Sequence, residues 1–298
     1  MTTDRHTLPR STWALLAVLT LGWGFNWPMM KLAVSEVPVL TFRALCIVVG
    51  TGGMFLIARV GGQAIMPTGR RQWLTMIVSS LLNVTAWNVL IGYGVLLLPA
   101  GRSVILAYTM PLWISLLSVP LLHEPLTPRR MLGVALGTAG MLLLIGGELA
   151  ALKAAPTGAL LVIGAAVSWA LGTVLIKRYP TELPTTSFSG WQLLLGGIPL
   201  VIGAFVFETG KLHIPSLQAS IAVLYNMFIA FILCYWAWFK IVSRASAVVS
   251  ALGTLLIPVV GVFSSILVLG ERPSWNEFAA LALVLAAIAT VIIPPRAR

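Results

Sequence analysis

Gly22–Lys31 reads GWGFNWPMMK, and Ser168–Lys177 reads SWALGTVLIK. Trp23 aligns with Trp169 and Lys31 with Lys177, both at an offset of 146 residues. The same offset carries Pro38 onto Pro184, Phe42 onto Phe188 and Gly50 onto Gly196. One slipped residue later the register continues at 147, where Ala100 falls on Ala247, Ser103 on Ser250, Pro111 on Pro258, Ser118 on Ser265 and Glu124 on Glu271. One such match is coincidence. Matches kept in order across both halves mean one unit written twice, and a repeat of that length sets the topology.

The medium follows from composition. Apolar residues make up 59% of the 298 and charged residues 9%, where a soluble domain carries about 25% charged. No interior of this size hides so much apolar surface, so lipid is the solvent. The net charge of +11 does not mark a nucleic-acid binder, because the basic residues stand singly or in pairs between apolar runs, as membrane loops do. Cys46 and Cys234 lie inside apolar runs, and His6, His123 and His213 are scattered. Neither a disulfide framework nor a metal site is indicated.

A spanning helix needs about 20 mostly apolar residues. Ten candidates meet this: 11–34, 38–59, 72–97, 101–121, 130–147, 156–177, 185–206, 216–240, 245–268 and 275–294. Short Pro- and Gly-marked loops join them, none able to hold a soluble domain. With the N-terminus inside, the inner loops carry thirteen Lys and Arg and the outer loops five, with Arg43 inside a span. The positive-inside rule then makes both termini cytoplasmic. Each half, 1–150 and 151–298, holds an odd number of spans, so the second copy enters the membrane upside down. The expected fold is all-α and integral to the membrane, ten transmembrane helices in two inverted five-helix repeats. Secondary transporters are built this way, with the substrate site near the midplane between the halves.

The pattern WG-x-N-x-x-x-x-K of the first span, the Pro-centred fourth span YTMPLWISLLSVPLLHEPL and SWAL-x-x-x-x-x-K of the sixth resemble the drug/metabolite transporter superfamily, EamA type. LLIPVVGVFSSILVLGERPS looks like that family's second Pro-Glu block. The resemblance covers nearly the whole chain. It implies ten helices, an inverted five-plus-five repeat and export of metabolites. Among members the chain looks most like the YddG-type amino-acid exporters.

No enzyme motif interrupts this reading. There is no GxxxxGK[ST] loop, so ATP is not expected to drive transport. HExxH is absent, and the sole aspartate is Asp4. No cofactor is expected. The expected partners are a small-molecule substrate (amino acids or related metabolites) and membrane lipid, with the protein a monomer or weak dimer in the inner membrane. A drug or nucleotide-sugar carrier of the same fold is the first alternative, and a lipid-modifying membrane enzyme the second.

Candidate site residues come from polar and aromatic groups inside the spans. Ser79, Asn83 and Trp87 are spaced i, i+4, i+8 and share a helix face. Asn226 is the repeat partner of Ser79, and Asn26 adds an amide in span one. Such amides either hold a zwitterion without a fixed charge or make interhelical hydrogen bonds of about 0.6 to 2 kcal/mol. Trp87, Tyr108 and Trp169 are the candidate cavity aromatics. Pro111 and Pro258 lie midway in spans four and nine, where each strips a hydrogen bond from the carbonyl four residues earlier, Ala107 or Thr254. They are candidate hinges, or packing kinks. Every Glu falls in a loop or at a span end. Arg43 is a partner for a substrate carboxylate or an arginine snorkelling to the interface beside Glu36, and the sequence favours the second.

Overall fold

The computed structural model describes residues 10–67, 69–125, 127–150, 157–244 and 255–292, all helix, turn or loop, with no strand among them. In hydrocarbon a backbone must satisfy its own N–H and C=O groups, and the helix does so within one segment. The helices are α1 Arg10–Glu36, α2 Val39–Val60, α3 Arg70–Leu97, α4 Ala100–Leu122, α5 Pro128–Ala150, α6 Thr157–Arg178 and α7 Thr185–Phe207. Then come α8, running through Leu217–Leu224, Tyr225–Leu233 and Cys234–Arg244, followed by α9 Ile257–Leu269 and α10 Trp275–Ile292. Of these, α2, α3, α4, α6, α7 and α8 are long and apolar enough to cross a membrane, and α9 and α10 are shorter apolar helices. The expected start of span nine, 245–254, lies outside the described residues, as does the Thr254 carbonyl.

The exterior is apolar. Leu56, Leu142, Leu160, Phe205, Val206 and Leu267 are exposed, a surface that suits acyl chains and not water. The interior is packed around Leu19, Phe42, Ile47, Met54, Ile91, Ile105, Leu106 and Leu200.

Helix pairing repeats with the sequence. α5 packs on α10 and α2 on α7. α1 packs on α9 as α6 packs on α4, and α1 on α8 as α6 on α3. Exchanging each helix for the one five places on leaves this pattern unchanged. Local features repeat too. α3 is π-helical over Leu81–Ala86 and α8 over Tyr225–Leu233. α4 ends with His123 left-handed at φ 55°, and α9 ends with Gly270 at φ 66°. The next N–H closes each cap, Glu124 donating to Ser118 O (3.3 Å) and Glu271 to Ser265 O (3.4 Å). Each bond reaches back six residues, and the left-handed residue before it ends the helix as at a C-terminal cap.

The two prolines do more than bend a continuous rod. α4 is interrupted after Ala107, passes through Tyr108 and Thr109, and resumes as Met110–Leu122. Pro111 thus sits in the first turn of the resumed run, where its missing N–H costs no bond. Pro258 sits likewise in the first turn of α9, just after the turn at Leu256.

Candidate substrate cavity

The repeated motif lies against the π segment of the opposite half. Trp23 Nε1 donates to Ala230 O (3.2 Å), and Tyr225 Oη donates to Gly22 O (2.9 Å). In the other half Ser168 Oγ donates to Leu82 O (2.8 Å). A π turn leaves carbonyls out of α register; Trp23 and Ser168 supply donors to such carbonyls, and Tyr225 of the π run donates in the opposite direction. The motif therefore fixes α1 on α8 and α6 on α3, and a cavity of about 160 Å³ opens between those crossings.

Both halves build its wall. α1 supplies Asn26, Trp27 and Met30, α3 supplies Asn83, Trp87 and Asn88, and α4 supplies Tyr108. From the second half come Trp169 of α6, Leu193 of α7, and Phe231 and Tyr235 of α8. Trp87 and Trp169 lie with ring centroids 5.1 Å apart and planes at 59°. Trp27 meets Tyr108 edge-on at 6.5 Å. Tyr108 reaches the cavity because the helix breaks there, at the end of the first run of α4.

The amides are poised and underused. Asn88 Nδ2 donates to Val84 O (2.8 Å). Asn26 Oδ1 and Asn83 Oδ1 are buried without a hydrogen-bond partner. Gly172 of α6 makes room for Asn83, because a Cβ there would overlap the amide oxygen. Position 172 is the repeat counterpart of Asn26. Each motif thus leaves one amide in the wall, its own in α1 and that of α3 in α6.

Five of the expected site residues meet here: Asn26, Asn83, Trp87, Tyr108 and Trp169. Ser79 and Asn226 do not line the cavity. Ser79 Oγ accepts from Gln192 Nε2 (3.0 Å) on α7, and Asn226 Nδ2 donates to Ala222 O (2.9 Å) within its own helix. Ser79 stands about two turns before Trp87 along α3, at the level of Gln192 of α7 and short of the cavity. Arg43 also departs from the favoured expectation. It does not reach the interface, being 2% exposed and part of the cavity wall. Glu36 instead accepts from the backbone N and Oγ of Ser216 (2.6 and 2.7 Å). The signal in the sequence was that Arg43 is the one charge well inside a span, which marks function by default.

Carboxylates of the described residues stay outside the cavity. Glu208 accepts from Leu40 N, Thr41 N and Thr41 Oγ1 at the start of α2 (3.0, 2.7 and 2.9 Å). Glu271 accepts from Ala100 N and Gly101 N at the start of α4 (2.7 and 2.9 Å). Pro38 and Pro99 occupy those N-cap positions and offer no side-chain acceptor, so a distant carboxylate does the capping. Glu124 pairs with Lys177 (2.5 Å) and Arg130 (2.6 Å), and bonds from Lys177 first and Arg130 second hold its carboxyl below the usual range.

Comparison with known proteins names this architecture. The sequence pattern of the EamA-like transporter family matches twice, over residues 11–146 and 156–293. The chain belongs to the EamA-like transporter family. Among EamA-like relatives, the chain is 29% identical over 289 residues to "Uncharacterized transporter YvbV" of Bacillus subtilis, covering 95% of this chain and 92% of that one. It is 26% identical over 281 residues to a "Probable amino-acid metabolite efflux pump" of Escherichia coli, covering 91% of each. A chain of known crystal structure shares the fold at a TM-score of 0.65 and 22% identity, over 94% of this chain and 96% of that one. These relatives are named as transporters or efflux pumps and not as enzymes, and this EamA-like chain is a multi-pass membrane protein.

Proposed function

We propose that the chain is a secondary exporter of amino acids or similar small metabolites, moving them across the inner membrane by alternating access. In this reading ten spans form two inverted five-helix repeats, 1–150 and 151–298, with both termini cytoplasmic. The observation that carries it is the cavity at the repeat interface, whose wall pairs aromatic faces with buried, unsatisfied amide oxygens. A zwitterion crossing lipid needs both. Ring faces attract an ammonium group by about 0.5 to 2 kcal/mol, and amide oxygens accept its hydrogens without a permanent ion. The exchange-invariant helix pairing supports the repeat, and the efflux-pump relative supports the substrate class and the inner membrane.

Movement is assigned to the two interruptions. Pro111 and Pro258 restart helices at corresponding places and serve as hinges. Coupling follows from the missing acid: with no carboxylate of the described residues in the cavity, export runs down the substrate gradient without obligatory proton exchange.

Counterflow in proteoliposomes tests the reading. Amino acids are expected to exchange, while cationic dyes and nucleotide sugars do not. Trp87→Ala, Tyr108→Ala and Trp169→Ala each lower that exchange about tenfold, the loss of one aromatic contact worth some 1.4 kcal/mol, with folded protein recovered at normal yield. Exchange of dyes or nucleotide sugars and not amino acids would replace the substrate class. Normal exchange in all three variants would remove the cavity from the pathway.

A further inference from the structure

Arg43 is the largest fully buried side chain of the described residues. It lies in α2, one turn after the helix begins, and forms part of the cavity wall. Gly92 of α3 lies alongside it: a Cβ there would clash with Val39 Cγ1 at 2.5 Å and only touch Arg43 Nε at 3.6 Å. Its guanidinium carbon stands 5.0 Å from the Phe42 ring centroid. Arginine carries five N–H donors, and a thioether is a weak acceptor. Nη2 approaches only such an acceptor, Met30 Sδ (2.6 Å), and Nε is buried with no partner. No carboxylate of the described residues pairs with it. Other arginines do find oxygen acceptors: Arg102 meets Glu277, Arg130 meets Glu124, and Arg129 donates to Thr290 O.

A charge held in this way has no structural return. Burying an unpaired cation is among the costs that proteins avoid. The fold does not require it, since the repeat places Ser189 at the corresponding position of α7. What the charge does have is an address: the same cavity as the unsatisfied oxygens of Asn26 and Asn83. The wall is therefore chemically divided, donors on α2 and acceptors on α1 and α3.

We infer that Arg43 is a specificity-determining anion subsite, which takes the substrate's carboxylate through its planar donor edge. Guanidinium and carboxylate match geometrically. The inference rests on the cavity being the transport site, and it narrows the substrates to molecules bearing a carboxylate. It places the ammonium of a zwitterion at the Asn26 and Asn83 oxygens. It also excludes purely cationic solutes, for which the cavity is electrostatically uphill.

A matched set of ligands on one skeleton tests this with the full-length protein in detergent: phenylalanine, its methyl ester, phenethylamine and phenylpropionate. Binding is read as a ligand-induced rise in melting temperature. Phenylalanine and phenylpropionate are expected to bind wild type at least about tenfold more tightly than the ester and the amine. Arg43→Gln should abolish that preference while leaving the ester unaffected, and Arg43→Lys should restore part of it, since it keeps the charge and loses the fork. Equal binding of acid and ester by wild type overturns the inference, a result that needs no variant to fold. So does an undiminished acid preference in Arg43→Gln. The amino-acid reading fails separately: if phenylpropionate binds through Arg43 but no amino acid exchanges in proteoliposomes, the anion subsite stands and the substrate is another carboxylate.

Discussion

Glu124 and Glu271 occupy the same place in the two copies, each one residue past a left-handed cap. Their environments differ. Glu271 reaches across to the start of α4 and accepts two backbone N–H groups there. Glu124 stays at the surface, between Arg130 and, from the other copy, a Lys177 side chain that is 61% exposed. The lysines that close the two motifs diverge in the same sense. Lys31 Nζ donates to three carbonyls at the end of α3, those of Val95, Leu96 and Leu98 (2.8, 2.9 and 2.9 Å). Lys177 makes the exposed ion pair. Lys31 and Glu271 are stitched to backbone, and Lys177 and Glu124 are joined by surface charges. A duplicated sequence thus does not dictate duplicated contacts, and the difference between the two ends is held by a few polar groups.

The contrast can be broken most directly at the carboxylates. Glu271→Ala strips two charge-assisted bonds from a helix start and is expected to lower stability by about 2 to 4 kcal/mol. Glu124→Ala removes exposed pairs and should cost under about 1 kcal/mol. Melting of the purified variants in detergent measures both, and equal losses would mean the two ends are held alike.

The lysines sharpen the picture with a smaller effect. Lys31→Met leaves three carbonyls at the end of α3 without their donor and should cost about 1 to 2 kcal/mol. Lys177→Met should cost only a few tenths of a kcal/mol. The reverse order would assign the firmer end to Lys177.

The smallest effect is in pH. The Glu124 carboxyl is held below its ordinary value by Lys177 and Arg130. A depressed carboxyl contributes stability that is complete above the unfolded value of about 4.3 and is lost as pH falls through the folded value. The gap in melting temperature between wild type and Glu124→Gln should therefore be widest near neutrality and close on acidification. A gap that widens in acid would contradict the pairing.

Much of this was legible in the sequence because it depends on composition and order. Lipid as solvent follows from the scarcity of charge, and the duplication from the register of Trp23 with Trp169 and Pro111 with Pro258. Asn83 and Trp87 could be placed together because they stand four residues apart on one helix face, and Trp169 joins them because it anchors the repeated motif. Arg43 could not be, since the sequence does not say which way a side chain one turn into a helix will point. Ser79 shares the helix of Asn83 and Trp87 but meets Gln192 of α7 instead of the cavity, and which neighbouring helix lies at that level is set by tertiary packing and not by the local period. Tyr108 was placed beside a kink, and the interruption of α4 is what lets it face inward.

The π run of α3 carries a surplus of one residue over the α-helical count for the same rise. Loss of a single codon within 81–86 would then leave a continuous helix and a readable frame. Side chains from Trp87 onward would keep nearly the phase they now hold relative to Ser79, because the residue removed is the surplus one. Elsewhere in a membrane helix such a deletion throws the buried face out to lipid. Here it offers a lineage a discrete step, by which the single turn around Asn83 is rebuilt while the helix faces on either side of it keep their neighbours.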